Sequence, residues 1–147
     1  MKKKQKNLKL KVLFNASVVL AGLKSPKGGS GRLLELVKEG IVEGKISEII
    51  FDEILKHSQK LTLPISNTPK EILNIFKEIL PAPNENVVNR YKKIVIDEGD
   101  AHVLASCEDK KIKILVTLDK KHLLILKGKI KGLKIMTPGE LIELLKK

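Results

Sequence analysis

The chain is poor in several residue types that would fix its class early. A single cysteine, Cys107, in 147 residues excludes an internal disulfide and a cysteine zinc cluster. With no tryptophan, one tyrosine and three phenylalanines, there is little aromatic surface on which single-stranded bases could stack. Arginine is nearly missing: Arg32 and Arg90 are the only two, so reading of bases by arginine forks is not indicated. No apolar run approaches the eighteen or so residues of a membrane span. No signal peptide is legible either, because the lysine-rich start leads straight into a short apolar strand. The expectation is a soluble, cytoplasmic protein with no membrane partner.

What is abundant is lysine. Twenty-nine basic residues face 17 acidic ones, a net charge of +12, which favours an anionic partner such as nucleic acid, although a lysine-rich surface also suits a thermophile or a biased genome. At 42% hydrophobic the chain can bury a core without staples. Residues 1–7 read as a basic, mobile tail and residues 8–147 as a single domain.

Strands and helices alternate along the domain. Leu10 to Leu20 reads as a first strand, Ser25 to Gly31 as a glycine-rich connection able to touch a backbone phosphate, and "RLLELVKEG" as a helix stopped at Gly40. "IVEGKI" fits a short strand or a helix tail, and Ser47 can cap the helix "EIIFDEILKHSQKL". "TPKE" places Thr68 at a helix N-cap with Pro69 inside and Glu71 completing a capping box, and the prolines at 81 and 83 end that segment. A helix starts near Asp97, "IKILVT" suits the middle of a parallel sheet, and "LKIMT" followed by "TPGELIELLKK" gives a last strand and helix. The pattern predicts an α/β fold, a three-layer α/β/α sandwich with a mostly parallel central sheet.

In such sheets ligands bind beyond the carboxyl ends of the strands. Asn15, Thr117 and Asp119 fall there, with Asp97 and Asp100 opening the helix before the fourth strand and Glu53 inside an earlier helix. Each also has a structural role open to it. Asp97 and Asp100 complement a helix start, Asp119 caps the turn "DKKHLL", and Glu53 pairs with Lys56 or His57 on a solvated face. Cys107, Phe14, Phe51 and Phe76 read as core. Tyr91, beside Arg90 and Lys92, is a candidate nucleic-acid contact; His57, His102 and His122 read as helix surface or satisfied polar contacts, with the edge of a site as the alternative for His102 and His122 beside Asp100 and Asp119.

The order of these residues resembles the PIN-domain family, which includes the toxin ribonucleases of VapC type. The similarity runs from about Val12 to Met136 and is most specific in "DAHVLA" and "TLDKKHL". Residue by residue, Glu53 matches the glutamate after the serine that opens the helix, Asp100 the acid before the "VLA" helix, Asp119 the acid after the strand and Thr117 the hydroxyl that accompanies it. One position departs: Asn15 stands where the family has its first metal-binding aspartate, with Ser17 at the auxiliary polar place.

The resemblance implies a metal-dependent endoribonuclease. Asn15, Glu53, Asp100 and Asp119 would be the catalytic and metal-binding set, Ser17, Asp97 and Thr117 auxiliary, and Mg²⁺ or Mn²⁺ the ion. It further implies RNA as substrate, a cognate antitoxin as partner in a toxin–antitoxin pair, and a homodimer. An amide at position 15 is neutral and cannot bridge two ions well, so the expected site is weakened or silent. The alternative is a non-catalytic nucleic-acid-binding or interaction module of RNA-processing machinery, whose association would follow salt and ignore Mg²⁺.

Overall fold

The computed structural model describes residues 9–60 and 68–146. The basic tail at residues 1–7 and the end of the "SQKL" helix at Leu61 lie outside the described residues. Five strands are present among them: β1 (Lys11–Phe14), β2 (Glu43–Ser47), β3 (Ile79–Leu80), β4 (Ile114–Val116) and β5 (Lys134–Met136). They form one sheet in the order β3-β2-β1-β4-β5, parallel at every pairing. Seven α-helices flank it: α1 (Ala16–Lys24), α2 (Gly29–Lys38), α3 (Glu48–Lys60), α4 (Thr68–Ile75), α5 (Glu85–Lys92), α6 (Ala101–Asp109) and α7 (Pro138–Leu145). Within this three-layer α/β/α fold α1 packs on α2 and α3, α2 on α4 and α7, and α5 on α6.

The chain runs outward from β1 to β2 and β3, then returns to lay β4 and β5 on the other side of β1. The direction of winding therefore reverses between β1 and β4. At such a switch point the connections diverge and leave a crevice beyond the strand ends. Whatever follows Phe14 and Val116, the paired last residues of the two strands, lines that crevice.

Burial explains the elements. Val12, Leu13, Phe14, Leu115 and Val116 have no exposed surface, as strands covered on both faces require. Phe14 meets Phe76 edge to face at 5.4 Å between ring centroids. Cys107 is a core residue, and burial pushes its thiol up to about 12. Phe51 is only partly buried against the core. Ser47 caps α3, its hydroxyl accepting from the Ile50 amide at 3.1 Å. Gly40 stops α2 with a φ of +81°. Thr137 and Glu140 form the reciprocal capping box expected for α7.

Three expectations change. The first strand ends at Phe14, and the apolar run after it is α1, because Asn15 caps a helix there and Ala16, Val18, Val19 and Leu20 are buried as a helix. The end of the glycine-rich connection, Gly29 to Gly31, is already the start of α2. A Cβ on Gly31 would stand 2.1 Å from the Pro26 carbonyl oxygen, so this glycine serves close packing of the turn on the helix. Tyr91 is buried, and its hydroxyl donates to Glu108 at 2.8 Å, leaving it no surface for a base. The same burial, aided by Glu108, pushes the Tyr91 phenol up to about 12.

Candidate active site

The site is built from the ends of β1 and β4 inward. The Asn15 amide N–H donates to the Val116 carbonyl at 3.0 Å, which continues the β1–β4 pairing one residue past the strands. Its side chain then turns to cap α1. Asn15 Oδ1 accepts from three donors: the Ser17 hydroxyl at 2.6 Å, the Thr117 hydroxyl at 3.0 Å and the Ser17 amide at 3.4 Å. A backbone amide can only donate, so the oxygen and not the NH₂ must face Ser17. An amide oxygen has two lone pairs. With three donors on it, Asn15 offers no free acceptor.

The same contacts fix the β4 loop. Ser17 Oγ accepts from the Leu118 amide, and Thr117 Oγ1 from the Asp119 amide, both at 3.1 Å. Asp119 is thereby delivered to the crevice. Its two oxygens meet His122, Oδ1 accepting from the backbone amide at 3.0 Å and Oδ2 lying 3.2 Å from Nδ1. Asp119 thus caps its own turn, as its sequence position allowed.

Facing this loop is the start of α6. Asp97 caps a short 3₁₀ turn, Glu98–Asp100, by accepting from the Gly99 amide at 2.9 Å. That turn carries Asp100 inward. One ligand atom each from Asp97, Asp100 and His122 lie within 4.8 Å of one another. The Asp100 carboxyl is held above the usual carboxylate range, first by burial, then by the charges of Asp119 and Asp97; His122 works against them and Glu53 adds to them. Asp100 is therefore the residue on which the charges of the three other acids, Asp119, Asp97 and Glu53, act together. Glu53, on α3, pairs neither with Lys56 nor through its carboxylate with His57. Its Oε2 lies 3.3 Å from His102 Nε2, while its backbone carbonyl meets His57 Nδ1 at 2.9 Å.

The structure thus brings Asp97, Asp100 and His122 within ligand reach of one another, with Asp119 held on His122 and with the charges of Asp119 and Glu53 acting on Asp100; Asn15, Ser17 and Thr117 are tied together behind Asp119. Sequence reasoning underrated His102 and His122. Their positions two and three residues after Asp100 and Asp119 were the available signal. Hard carboxylate oxygens with one imidazole at the rim are a donor set suited to Mg²⁺ or Mn²⁺. Mutually repelling acids around a half-buried carboxyl are what a divalent cation relieves.

Comparison with known proteins agrees with this architecture. The PIN domain family profile matches residues 11–121. The chain belongs to the PIN-domain family. No curated protein matches it in sequence. Among solved structures, PAE2754 from Pyrobaculum aerophilum superposes with a TM-score of 0.63 at 19% identity, over 93% of this chain and 90% of that one. A toxin–antitoxin complex from Klebsiella pneumoniae gives 0.61 at 20% identity, over 86% and 97%. VapBC2 from Rickettsia felis, bound to a DNA fragment from its promoter, gives 0.66 at 13%, over 87% and 98%. At these identities the likeness is one of fold. Among the described residues no helix is long and apolar enough to cross a membrane.

Proposed function

We propose that the chain is a metal-dependent ribonuclease of PIN type, the toxin of a cytoplasmic toxin–antitoxin pair, weakened at its first site position. The observation that supports the reading is the meeting of Asp97, Asp100 and His122 at the β1–β4 switch point of a PIN domain, with the charges of Asp119 and Glu53 acting on Asp100. Asp100 and Asp119 are assigned as direct ligands of Mg²⁺ or Mn²⁺. Glu53 acts through a water or orients the attacking one, and Asp97 supports the cluster. Asp100 and Asp119 would hold the ion, whose chemistry there would be to acidify the attacking water and to offset charge on the phosphate oxygens.

The chain's own residues do the rest. Asp119 is set by the Thr117 hydroxyl and its own cap, so its carboxylate is preorganised at the strand end. The lysine surplus draws the RNA backbone without reading sequence. Asn15 is assigned to the scaffold rather than to the metal, because its only acceptor is saturated by Ser17 and Thr117. An aspartate would place a second oxygen where Asn15 has an NH₂, a donor that cannot ligate a cation. An antitoxin partner belongs to the same reading, supported by the toxin–antitoxin proteins that share the fold, and a homodimer is proposed with it.

The saturated amide also favours a second reading, a binding module that holds RNA without cutting it. Single-stranded RNA cleavage in Mn²⁺, measured side by side for this chain, Asn15→Asp and Asp100→Asn, separates them. The nuclease reading expects Asn15→Asp to cut at least tenfold faster than the parent and Asp100→Asn not to cut. Three equally inert proteins that still bind RNA in chelator leave the binding module standing.

A further inference from the structure

His102 lies on α6 two residues after Asp100 and is 9% exposed. Its Nε2 is the one side-chain partner of the Glu53 carboxylate among the described residues, at 3.3 Å. A carboxylate only accepts, so Nε2 carries the proton in that contact. The other ring nitrogen, Nδ1, is sealed from solvent and has no hydrogen-bond partner; the same is true of Ser106 Oγ. Ser106 is 1% exposed and stands four residues further along α6, on the same face one turn away. Two buried polar atoms without partners are costly apart and complementary together, since a hydroxyl donates and a bare imidazole nitrogen accepts.

We propose, resting on the metal-site reading above, that His102 is a positioning residue for Glu53 and that Ser106 sets its tautomer. The Ser106 hydroxyl donates to Nδ1, by rotation about its Cα–Cβ bond or through one enclosed water. That leaves Nδ1 bare and Nε2–H pointed at the carboxylate. A histidine fixed by a hydrogen bond on its far nitrogen is a general means of orienting a metal site from its second layer. Here the oriented group is Glu53, a flexible side chain with 36% of its surface exposed, which has no other hydrogen bond to hold it near Asp100 among the described residues.

Nitrogen-resolved NMR of the His102 ring in the metal-free chain tests the tautomer without any substitution. The expected spectrum has Nε2 protonated and Nδ1 bare, with Ser106→Ala mixing in the other tautomer. A ring protonated at Nδ1 alone overturns the proposal, and a spectrum unchanged in Ser106→Ala removes Ser106 from it. Mn²⁺ affinity, followed by electron paramagnetic resonance without RNA, tests the consequence. His102→Gln keeps a donor near the Nε2 position and should bind within about twofold of the parent, whereas His102→Leu should lose about tenfold. Equal affinity in His102→Leu and the parent overturns the positioning role. If neither the parent nor Asn15→Asp binds Mn²⁺, the metal reading fails, while the tautomer still decides the Ser106–His102–Glu53 link.

Discussion

Asp100 and Asn15 answer the same crowding in opposite ways. Asn15 adds no charge, and its oxygen is spent on joining β1 to the β4 loop. Asp100 is a carboxyl set among three other acids and is held above the usual carboxylate range, mainly by burial and by Asp119. A carboxyl whose pKa is raised on folding favours the folded state below its unfolded pKa, about 3.9 for Asp. That advantage is lost as pH rises through the higher folded value. Without metal, Asp100→Asn should therefore melt above the parent at pH 7, with the gap closing as pH falls towards 3. Thermal melts in chelator across that range measure it. On the proposed metal-site reading, Mn²⁺ should reverse the order at pH 7, since a neutral amide ligates a cation more weakly than a carboxylate does. A gap independent of pH would place the effect in packing and not in charge.

At the scale of elements, what was legible followed local chemistry. The capping box at Thr137, the stop at Gly40, the Ser47 cap and the acids beyond β4 are all set by residues within a few positions of one another. The boundary between β1 and α1 was not legible because both sides are buried, so strand and helix show the same unbroken apolarity and only Asn15 marks the change. β3 has two residues and no pattern to read. α5 rests on Val87, Val88 and Tyr91 in a polar segment, with Asn84 as an overlooked cap. The engagement of Asn15 Oδ1 and the pairing of Glu53 with His102 join elements far apart in sequence, which spacing cannot show. The glycines of the α1–α2 turn make the difference measurable. Gly31→Ala meets the Pro26 backbone and should cost about 1–3 kcal/mol. Gly28→Ala, with nothing nearer than the Ser25 carbonyl oxygen at 3.5 Å, loses only the preference of an N-cap for glycine over alanine and should cost less than about 1 kcal/mol. Urea unfolding of the two variants checks this, and equal costs would mean that the turn repacks freely.

For the molecule as a whole, charge is divided: a net +12 over the chain, and a knot of four acids at the β1–β4 crevice. On the proposed ribonuclease reading, RNA drawn in by the lysines meets repulsion where it would have to be cut. Its backbone affinity in chelator should fall steeply with salt, by about 300-fold between 50 and 200 mM if some six phosphates of a single strand are neutralised. The acids add a second dependence that a basic surface alone lacks. At fixed ionic strength, millimolar Mn²⁺ should tighten RNA binding several-fold by cancelling the local repulsion. Asp100→Asn, one negative charge lighter, should bind more tightly than the parent in chelator and respond less to the ion. Fluorescence anisotropy with a short uncleaved RNA analogue reads both effects. A binding module whose RNA path avoids the crevice gives the same salt slope with no response to Mn²⁺ or to Asp100. That result would separate the lysine surface from the acids, and the cluster would then have to be explained without RNA.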